Sequence, residues 1–376
     1  MKNELAKEPR AAVRITLMAH QGLNSRVIEL FSSLGIHSMA VESARCVRQM
    51  MKNRFWGLPG LRAEFSDTAT DIFRTTIPSE AAEYVLCKII EDLGLRTPGR
   101  GAVYAQNLHE ISCREFPEIA VGKVNADMLL SDLSLITGIQ SKSGSGENLF
   151  RVALKLGAGV PVVGIGIGSG IRDRLGLLRI TISPEKELVY LMVPSHDADG
   201  LQSLLIEEGH LNRPGGGFLY QAPVRAGMVD PLIRIGRQEH AASIEQIIAA
   251  IDDLKKNTAW RKRFFGLESG AQNLATADLS HREISFFCHD GQGDNFVRAA
   301  MRAGAGGATV SRVRALHLKS EEKERSVPCE HGIFCISAAI EKQVMQTLRE
   351  TAEASPDQEW ILQSMAAASV FAHKRS

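Results

Sequence analysis

The first hundred residues predict strands and helices in a fixed order. Arg14–His20 alternates apolar and polar residues as a strand does, and Asn24–Leu34 has apolar residues at helical spacing before Gly35. Ser38–Arg48 and Thr70–Ile77 predict two more strands, which a loop rich in Met, Arg and Gly separates. The series is completed by a second helix and a short strand, at Glu80–Leu93 and Ala102–Gln106. The predicted order is therefore strand, helix, strand, strand, helix, strand.

Two later stretches of the chain repeat this order, which indicates internal duplication. In the second stretch, Pro194 and Tyr220 occupy the places of Pro78 and Tyr104 in the first. The third stretch keeps the order of elements but loses the glycine-rich turn before the last strand. Because this order is that of the ferredoxin-like unit, we predict an α+β fold of three tandem ferredoxin-like (βαββαβ) domains that form a single-chain pseudo-trimer. The predicted bounds of the domains are 12–112, 128–228 and 281–373, with a helical linker at 229–280.

The predicted linker contains an amphipathic helix. Ser243–Lys256 places its isoleucines on one helical face, and the basic run Arg261-Lys262-Arg263 follows. A packing connector and a helix that binds a partner both explain this pattern.

Composition and charge narrow the classes of function. Lys and Arg together number 44 against 43 for Asp and Glu, and this formal charge of +1 does not favour a nucleic-acid-binding protein. The chain has no apolar run of about 18 residues or more, which predicts no direct membrane insertion. Six cysteines are too few for a disulfide scaffold, and the charged start, MKNELAKEPR, lacks the apolar core of a signal peptide. These features predict a cytoplasmic protein that is peripheral at a membrane only through a partner.

Several motifs resemble those of the P-II nitrogen regulatory proteins. The strand after Gly35, with Arg45 near its far end, resembles the second strand of that family and the entry to its long T-loop. The strand-to-helix turns at Pro78 and Pro194 are also similar to the family's. Two glycine-containing turns, each with the strand after it, resemble the family's B-loop, at Pro98–Tyr104 and Pro214–Tyr220. The resemblance covers most of the chain and is strongest in the first two predicted domains.

The resemblance implies a fold and a function. P-II proteins are homotrimers of ferredoxin-like subunits, and they bind adenine nucleotides in the clefts between subunits. This chain would then be a regulatory protein and not an enzyme, with no cofactor beyond an adenine nucleotide that it senses as a small effector between its repeats. Its T-loops would contact a target protein in carbon or nitrogen supply, such as a membrane transporter, the soluble subunit of a transporter, or a metabolic enzyme. The first loop has no tyrosine for nucleotidylation, and the loss of cleft residues in the third copy predicts that one or two clefts, and not three, are functional. A scaffold subunit whose clefts bind nothing is the alternative function.

The most unusual stretch of the chain is a strand with glycine at alternate positions. One face of this strand carries only Gly164, Gly166, Gly168 and Gly170. Ile165 and Ile167, on the opposite face, are expected to point into the core. A bare strand lets a ligand lie on the backbone, where N–H groups can meet phosphate oxygens, and close packing of a neighbouring strand is the alternative. A second strand follows, and not a helix, which argues against a dinucleotide-binding Rossmann turn.

Arginines near the glycine strand are predicted to bind the same effector. Arg172 and Arg174 follow the strand directly and are suited to charge-assisted contacts with phosphate or carboxylate groups. The alignment of the repeats brings Arg45, Arg312 and Arg314 to the same face.

The two glycine-rich turns form the second part of the predicted effector site. Backbone N–H groups in such turns can cradle phosphates, although a tight turn alone also explains the glycines. The residues are Gly99, Arg100 and Gly101 in the first turn, and Gly215, Gly216 and Gly217 in the second. Arg225 follows the strand after the second turn and is expected to reach a cleft, a role for which Arg234 and Arg237 are equally suited.

Catalytic and metal-binding motifs are weak. Cys329, His331 and Cys335 have metal-ligating side chains, but zinc needs about four ligands, so ordinary loop thiols are favoured over a metal site, and redox sensing by a thiol pair is the other alternative. The sequence has no nucleophile elbow, zinc-protease motif or P-loop lysine in a supporting context, so we predict no metal and no catalytic residue. An enzyme that acts on a small phosphate or carboxylate is the third hypothesis.

Overall fold

The protein is described by a computed structural model, which places thirteen strands and five α-helices in the described part of the chain. The described residues are 8–53, 61–124, 128–140, 149, 153–154, 160–170, 184–213, 216–230, 280–318, 325–355 and 359–372. The strands are β1 Arg10–His20, β2 Ser38–Asn53, β3 Leu61–Ile77, β4 Gly101–Ser112, β5 Leu133–Gln140, β6 Val162–Gly170, β7 Glu185–Pro194, β8 Gly217–Val224, β9 Ala226–Met228, β10 His281–His289, β11 Gly307–His317, β12 Arg325–Ser337 and β13 Ile361–Ala372. The helices are α1 Asn24–Ser33, α2 Ala82–Leu93, α3 Ser195–Glu208, α4 Gly293–Arg302 and α5 Glu341–Glu353.

The strands group into three segments, which are named here for their order in the chain. The first segment is 10–112 with β1–β4, the second is 133–224 with β5–β8, and the third is 281–372 with β10–β13. Within the segments the strands are ordered β2-β3-β1-β4, β6-β7-β5-β8 and β11-β12-β10-β13. Neighbouring strands are antiparallel throughout.

The prediction of three tandem ferredoxin-like domains that form a pseudo-trimer is wrong. The edge strands of the three segments pair with one another, so the segments share one sheet of thirteen strands, of which ten close into an antiparallel barrel. At one set of edges β2, β6 and β11 pair in all three combinations, and at the other set β13 pairs with both β4 and β8. The physical reason is that an unpaired edge strand exposes N–H and C=O groups, which pairing between segments satisfies.

The two faces of the sheet bury different side chains. On β1, Val13, Ile15 and Leu17 pack in one apolar cluster with residues of α1 and α2. The alternate residues Arg14 and Thr16 are also buried, on the other face of the strand. A separate cluster contains strand residues from all three segments and no helix residue, and it fills the interior of the barrel. The barrel interior therefore holds polar and charged side chains among apolar ones, while the helices cover the outside.

The strands β2 and β3 form a long hairpin that extends past the rest of the sheet. Their pairing runs from Ala40↔Arg74 to Asn53↔Leu61. The other neighbours of β2 bond to it only as far as Val47, and those of β3 only as far as Thr70. Beyond these residues, the described parts of the two strands pair only with each other.

Some predictions lie outside the described residues or stay untested. The linker helix Ser243–Lys256, the strand Leu178–Ile182 and most of the helix Glu147–Leu156 fall on residues that the structure does not describe. The domain bounds predicted from the sequence also stay a prediction.

Candidate functional site

A cavity of about 870 Å³ opens between the first and third segments. Its wall includes the start of β2, the end of β3, the chain that follows β4, and parts of β10 to β13. The arginines in the lining are Arg14, Arg74, Arg114 and Arg325, and the histidines are His37, His289 and His317. This volume is within the usual range for pockets that bind small molecules.

Arg14 is a deeply buried cation of the cavity wall. Its side chain is 5% exposed, and its Nη2 donates to Glu283 Oε1 at 3.1 Å and to Gln106 Oε1 at 3.0 Å. The Nε and Nη1 atoms of Arg14 are buried and have no hydrogen-bond partner. Buried donors without partners cost free energy, so an oxygen atom that reached them would bind favourably.

Arg74 is fixed by an ion pair inside the barrel. Its Nη1 lies 2.6 Å from Glu42 Oε2, and both side chains are under 5% exposed. Burial acts to lower the pKa of Arg74, but Glu42 raises it above its ordinary value. Burial, with Arg74 and Arg14 nearby, holds the pKa of His331 well below its ordinary value. His331, whose ring stacks on the cavity residue Phe287 with centroids 4.3 Å apart, is therefore neutral.

A second ion pair lies on the wall where the chain after β4 meets the start of β13. Arg114 pairs with Glu359 and donates to Ser38 Oγ at 2.5 Å. His317 Nε2 lies 3.6 Å from Glu359 Oε2. Burial acts to raise the pKa of Glu359, but Arg114, His317 and Arg325 lower it overall. Glu359 is therefore an ionised acceptor that orders the cations around it.

Two thiols line the cavity, and both are protonated at neutral pH. Burial raises the pKa of Cys288 far above its ordinary value, with Glu330 adding to the shift. Burial likewise raises the pKa of Cys329. Because the thiolate is the nucleophilic form, neither residue is activated for covalent chemistry.

The first glycine-rich turn holds a carboxylate of the chain itself. The N–H of Gly99 donates to Asp230 Oδ1 at 2.9 Å, and Arg48 pairs with Asp230 Oδ2. Burial raises the pKa of Asp230, although Arg48 and the Gly99 N–H act to lower it. Gly101 has φ +141°, and a Cβ there would lie 2.1 Å from Met18 O. This turn therefore lies close to the backbone of β1 and to the carboxylate of Asp230.

The glycine strand packs against side chains and does not present a bare face. A Cβ on Gly164 would lie 2.4 Å from Glu42 Oε1, and one on Gly166 would lie 2.7 Å from Thr309 Cγ2. A Cβ on Gly168 would lie 2.4 Å from Lys186 Cε. The close-packing alternative thus describes these three positions. Gly170 pairs with Gly307 of β11.

The prediction that Ile165 and Ile167 point into the core is wrong. Ile165 is 68% exposed and Ile167 is 49% exposed. The glycines of β6 face the barrel interior, where Glu42 and Thr309 already fill the space, so the isoleucines of the same strand face outward.

The remaining predicted arginines are spread over the structure. Arg45 pairs with Asp67 at 2.7 Å and with Glu187 at 3.0 Å, and Arg225 holds Glu83 through two hydrogen bonds. Arg312 and Arg314 are exposed on β11. The side chain of Arg100 lies beside Gly94, and its backbone oxygen accepts from His20 N. None of these residues lines the cavity.

The second glycine-rich turn is described only in part. A Cβ on Gly216 would lie 2.6 Å from His210 O, and one on Gly217, which has φ +138°, would lie 2.6 Å from Ile139 O. These two glycines allow close approach of the backbone. Gly215, Arg172 and Arg174 lie outside the described residues, as do Arg234 and Arg237.

Sequence reasoning missed the cavity residues Arg14, Arg74, Arg114 and Arg325. A signal for Arg14 was present, because it is a charged residue in a strand, RITLMAH, that is otherwise largely apolar. A charge at such a position is buried only with a partner, and Glu283 is more than 250 residues away in the chain. The pairing could not be found without the fold.

Cys329, His331 and Cys335 share one face of β12, as residues two and four positions apart do. Among the described residues, no group of three or more His, Cys, Asp or Glu side chains is placed to hold a metal ion. Within the same part of the chain, no helix is long and apolar enough to cross a membrane.

Comparison with known proteins identifies no family for this chain. No family model matches it, and no curated protein matches it. Among solved structures, a match is the crystal structure of aspartate kinase from Synechocystis, with 9% sequence identity and a TM-score of 0.19. The match covers 95% of this chain and 44% of the aspartate kinase chain, so this chain spans less than half of that protein's length. The match is too weak to carry an argument about fold or function.

Proposed function

We propose that this protein is a regulatory protein that senses a small anionic effector in the cavity between its first and third segments. The observation that carries this proposal is a cavity of about 870 Å³ lined by four arginines. One of them, Arg14, is buried and has guanidinium nitrogens without partners. Cations in a concave, partly apolar site are suited to bind a carboxylate or phosphate through charge-assisted hydrogen bonds.

An adenine nucleotide is the effector class that we favour. The arginines would bind its phosphates, and the aromatic residues of the wall, Phe116, Phe287 and Trp360, would contact its base. This class also follows from the resemblance of the sequence to the P-II proteins.

The cavity is placed to act on the long β2–β3 hairpin. Ser38, Met39 and Ala40 at the start of β2 line the cavity, and so do Arg74, Thr75 and Thr76 at the end of β3. An effector bound there would contact both strands at the base of the hairpin. Binding that favours one arrangement of the hairpin would change its affinity for a target protein. The target that we propose is a transporter, its soluble subunit, or a metabolic enzyme in carbon or nitrogen supply.

Regulation fits the cavity better than catalysis does. The thiols of Cys288 and Cys329 are kept protonated by burial, and the carboxylate of Glu359 is held by Arg114. The carboxylate thus orders the cations around it, and neither thiol is in the nucleophilic form that would attack a substrate.

Isothermal titration with ATP, ADP, AMP and cyclic AMP tests the proposal. The variant is Arg325→Ala, which removes an exposed cation from the cavity wall. The matched control is Arg312→Ala, which removes an exposed cation from the adjacent strand β11 outside the cavity. Loss of a charged hydrogen bond costs about 1.5–3 kcal/mol, so we expect Arg325→Ala to weaken binding at least about tenfold. We expect Arg312→Ala to bind as the wild type does.

Two results would overturn the proposal. Absence of saturable binding of any of the four nucleotides would exclude the nucleotide sensor and favour the scaffold hypothesis. Binding that Arg312→Ala weakens and Arg325→Ala does not would place the site outside this cavity.

A further inference from the structure

Two isoleucines on the outward face of β6 form an exposed apolar surface. Ile165 is 68% exposed and Ile167 is 49% exposed, although isoleucine is among the residues most often buried in proteins. Ile167 pairs with Val310 of β11, so these two side chains lie on the same face of the sheet. We call Ile165, Ile167 and Val310 the β6 surface. None of the three residues lines the cavity between the first and third segments.

The exposed isoleucines are particular to the second segment. Alignment of the three segments by their strand registers gives the residues at the same outward positions of the other two segments, which are Ser43 and Arg45 on β2 and Arg312 and Arg314 on β11. Polar residues thus occupy these positions wherever the strand faces solvent in the first and third segments. Adjacent exposed apolar residues on one segment alone indicate a surface that another element covers.

The chain itself contains an apolar face that needs such a surface. The helix predicted from the sequence at 243–256 lies outside the described residues, and the apolar residues on one side of it are Ile244, Ile247, Ile248, Ile251 and Leu254. A helix of this length is marginally stable by itself in water, because most of the stability of an amphipathic helix comes from packing of its apolar face. Two surfaces rich in isoleucine, one on β6 and one on this segment, therefore each lack a described partner for their apolar side chains.

The charges beside the two surfaces are complementary. Glu245 and Asp252 are seven residues apart, which is about two helical turns, so both lie along one edge of the apolar face. Arg312 and Arg314 are exposed on the same face of β11 as Val310. Opposite charges at the rim of an apolar contact favour one orientation of the two surfaces.

The point where the described chain stops places this segment near the β6 surface. One described range ends at Asp230, which pairs with Arg48 of β2. The backbone N–H of Val47 donates to Pro161 O at 3.0 Å, one residue before β6 begins. Along the strand, Ile165 is about 13 Å from Pro161, whereas the thirteen residues from Asp230 to the start of the predicted helix can span about 45 Å. The predicted helix is therefore within reach of the surface.

We propose that the β6 surface is the docking site of the chain's own residues 243–256, whose isoleucine face covers Ile165 and Ile167. This assigns the predicted helix the role of a packing connector between the second and third segments. The proposal does not depend on the function proposed for the cavity, because the β6 surface and the cavity share no residue.

Hydrogen–deuterium exchange of the full chain, read by mass spectrometry, tests this proposal. The variant is Ile165→Thr/Ile167→Thr, which keeps β-branched residues in the strand and removes apolar surface. We expect the amides of 243–256 to exchange at least about tenfold faster in this variant than in the wild type, because the contact that protects them is weakened. The matched control is Val121→Thr, which makes the same kind of change at a residue that is 50% exposed in the chain after β4, and it should leave this exchange unchanged.

Chemical cross-linking locates the contact directly. A short bismaleimide is added to the full-chain variant Ile167→Cys/Ile248→Cys, and linked peptides are identified by mass spectrometry. We expect a link between residues 167 and 248 within one chain, and no such link to residue 248 in the control Val121→Cys/Ile248→Cys.

Three results would overturn the proposal. The first is fast exchange of 243–256 in the wild type, and the second is exchange that Ile165→Thr/Ile167→Thr does not change or that Val121→Thr raises equally. The third is a link between residues 167 and 248 of different chains, together with a dimer in sedimentation velocity that Ile165→Thr/Ile167→Thr abolishes, which would assign the β6 surface to a second copy of the chain.

Discussion

The charged cluster inside the barrel predicts how strongly the three segments depend on one another. Arg14 of the first segment pairs with Glu283 of the third at 3.1 Å, and Glu283 Oε2 accepts from the Tyr220 hydroxyl of the second at 2.9 Å. Each segment thus contributes one member. The side chains of Arg14 and Glu283 are 5% and 1% exposed, so water does not screen the pair. The perturbation that we consider is Glu283→Ala.

Removal of this carboxylate leaves the Arg14 guanidinium charged and buried with only Gln106 as an acceptor among its oxygen partners. Breaking one side of a buried ion pair costs about 3–5 kcal/mol, because the remaining charge loses its compensation. We therefore expect Glu283→Ala to lower the free energy of unfolding by about that amount. Tyr220→Phe, which removes the hydroxyl that donates to this carboxylate, should cost about 1.5–3 kcal/mol.

Urea unfolding followed by circular dichroism measures both effects. The matched control is Glu353→Ala, which breaks the surface pair with Arg349 on α5 and should cost less than about 1 kcal/mol. Arg14→Met and Glu283→Leu are also measured singly and together. The double variant removes both charges, so its loss of unfolding free energy should be smaller than the sum of the losses of these two single variants.

Two outcomes would refute this reasoning. A cost for Glu283→Ala as small as that of the control would mean that the carboxylate is not buried against Arg14. Strict additivity of the Arg14 and Glu283 replacements would mean that the two side chains do not interact, and the closure of the sheet around them would then be in question.

Two further predictions concern packing and pH. Gly332→Ala would place its Cβ 2.1 Å from Cζ of the buried Phe286 ring, so we expect a loss of about 1–3 kcal/mol in urea unfolding, whereas Gly306→Ala, with nothing within 4 Å, should change little; equal losses would contradict the packing. Burial keeps the pKa of His331 well below its ordinary value of 6.5, so the unfolded chain binds the proton more readily and stability should fall as the pH drops below about 6.5, by at most about 1.4 kcal/mol per pH unit. His331→Gln should remove this part of the fall between pH 7.5 and pH 5.5, and an unchanged slope would show that His331 is not its source.

The strands and helices themselves could be predicted from the sequence because their signals are local. The helix predicted at 24–34 forms at Asn24–Ser33, and the strand predicted at 14–20 forms within Arg10–His20. The predicted helix end at Gly94 is confirmed, since Gly94 is left-handed with φ +61°. Each of these features depends on residues that are close together in the sequence.

The closure of the sheet could not be predicted, because it depends on edges that meet from distant parts of the chain. The strand β6 shows the difficulty. Alternating glycine and isoleucine suggests a bare face and a buried face, but the glycine face is filled by Glu42 from β2 and Thr309 from β11. Only the pairing of β2, β6 and β11 reveals which face is inside, and that pairing leaves Ile165 exposed.

The candidate sites show the same division between local chemistry and distant pairing. The local pattern at Gly99 indicates N–H groups that can hold an anion, and in the structure the Gly99 N–H does hold one, from Asp230. The sequence could not reveal that the anion belongs to the chain, since Asp230 is 131 residues away. The open cavity, unlike the glycine-rich turn, has no local signal in the sequence, because its arginines lie on strands and connections with no local motif. A glycine-rich turn therefore indicates where an oxyanion can bind, and it does not indicate whether the position is free; that depends on which carboxylate the fold brings to it.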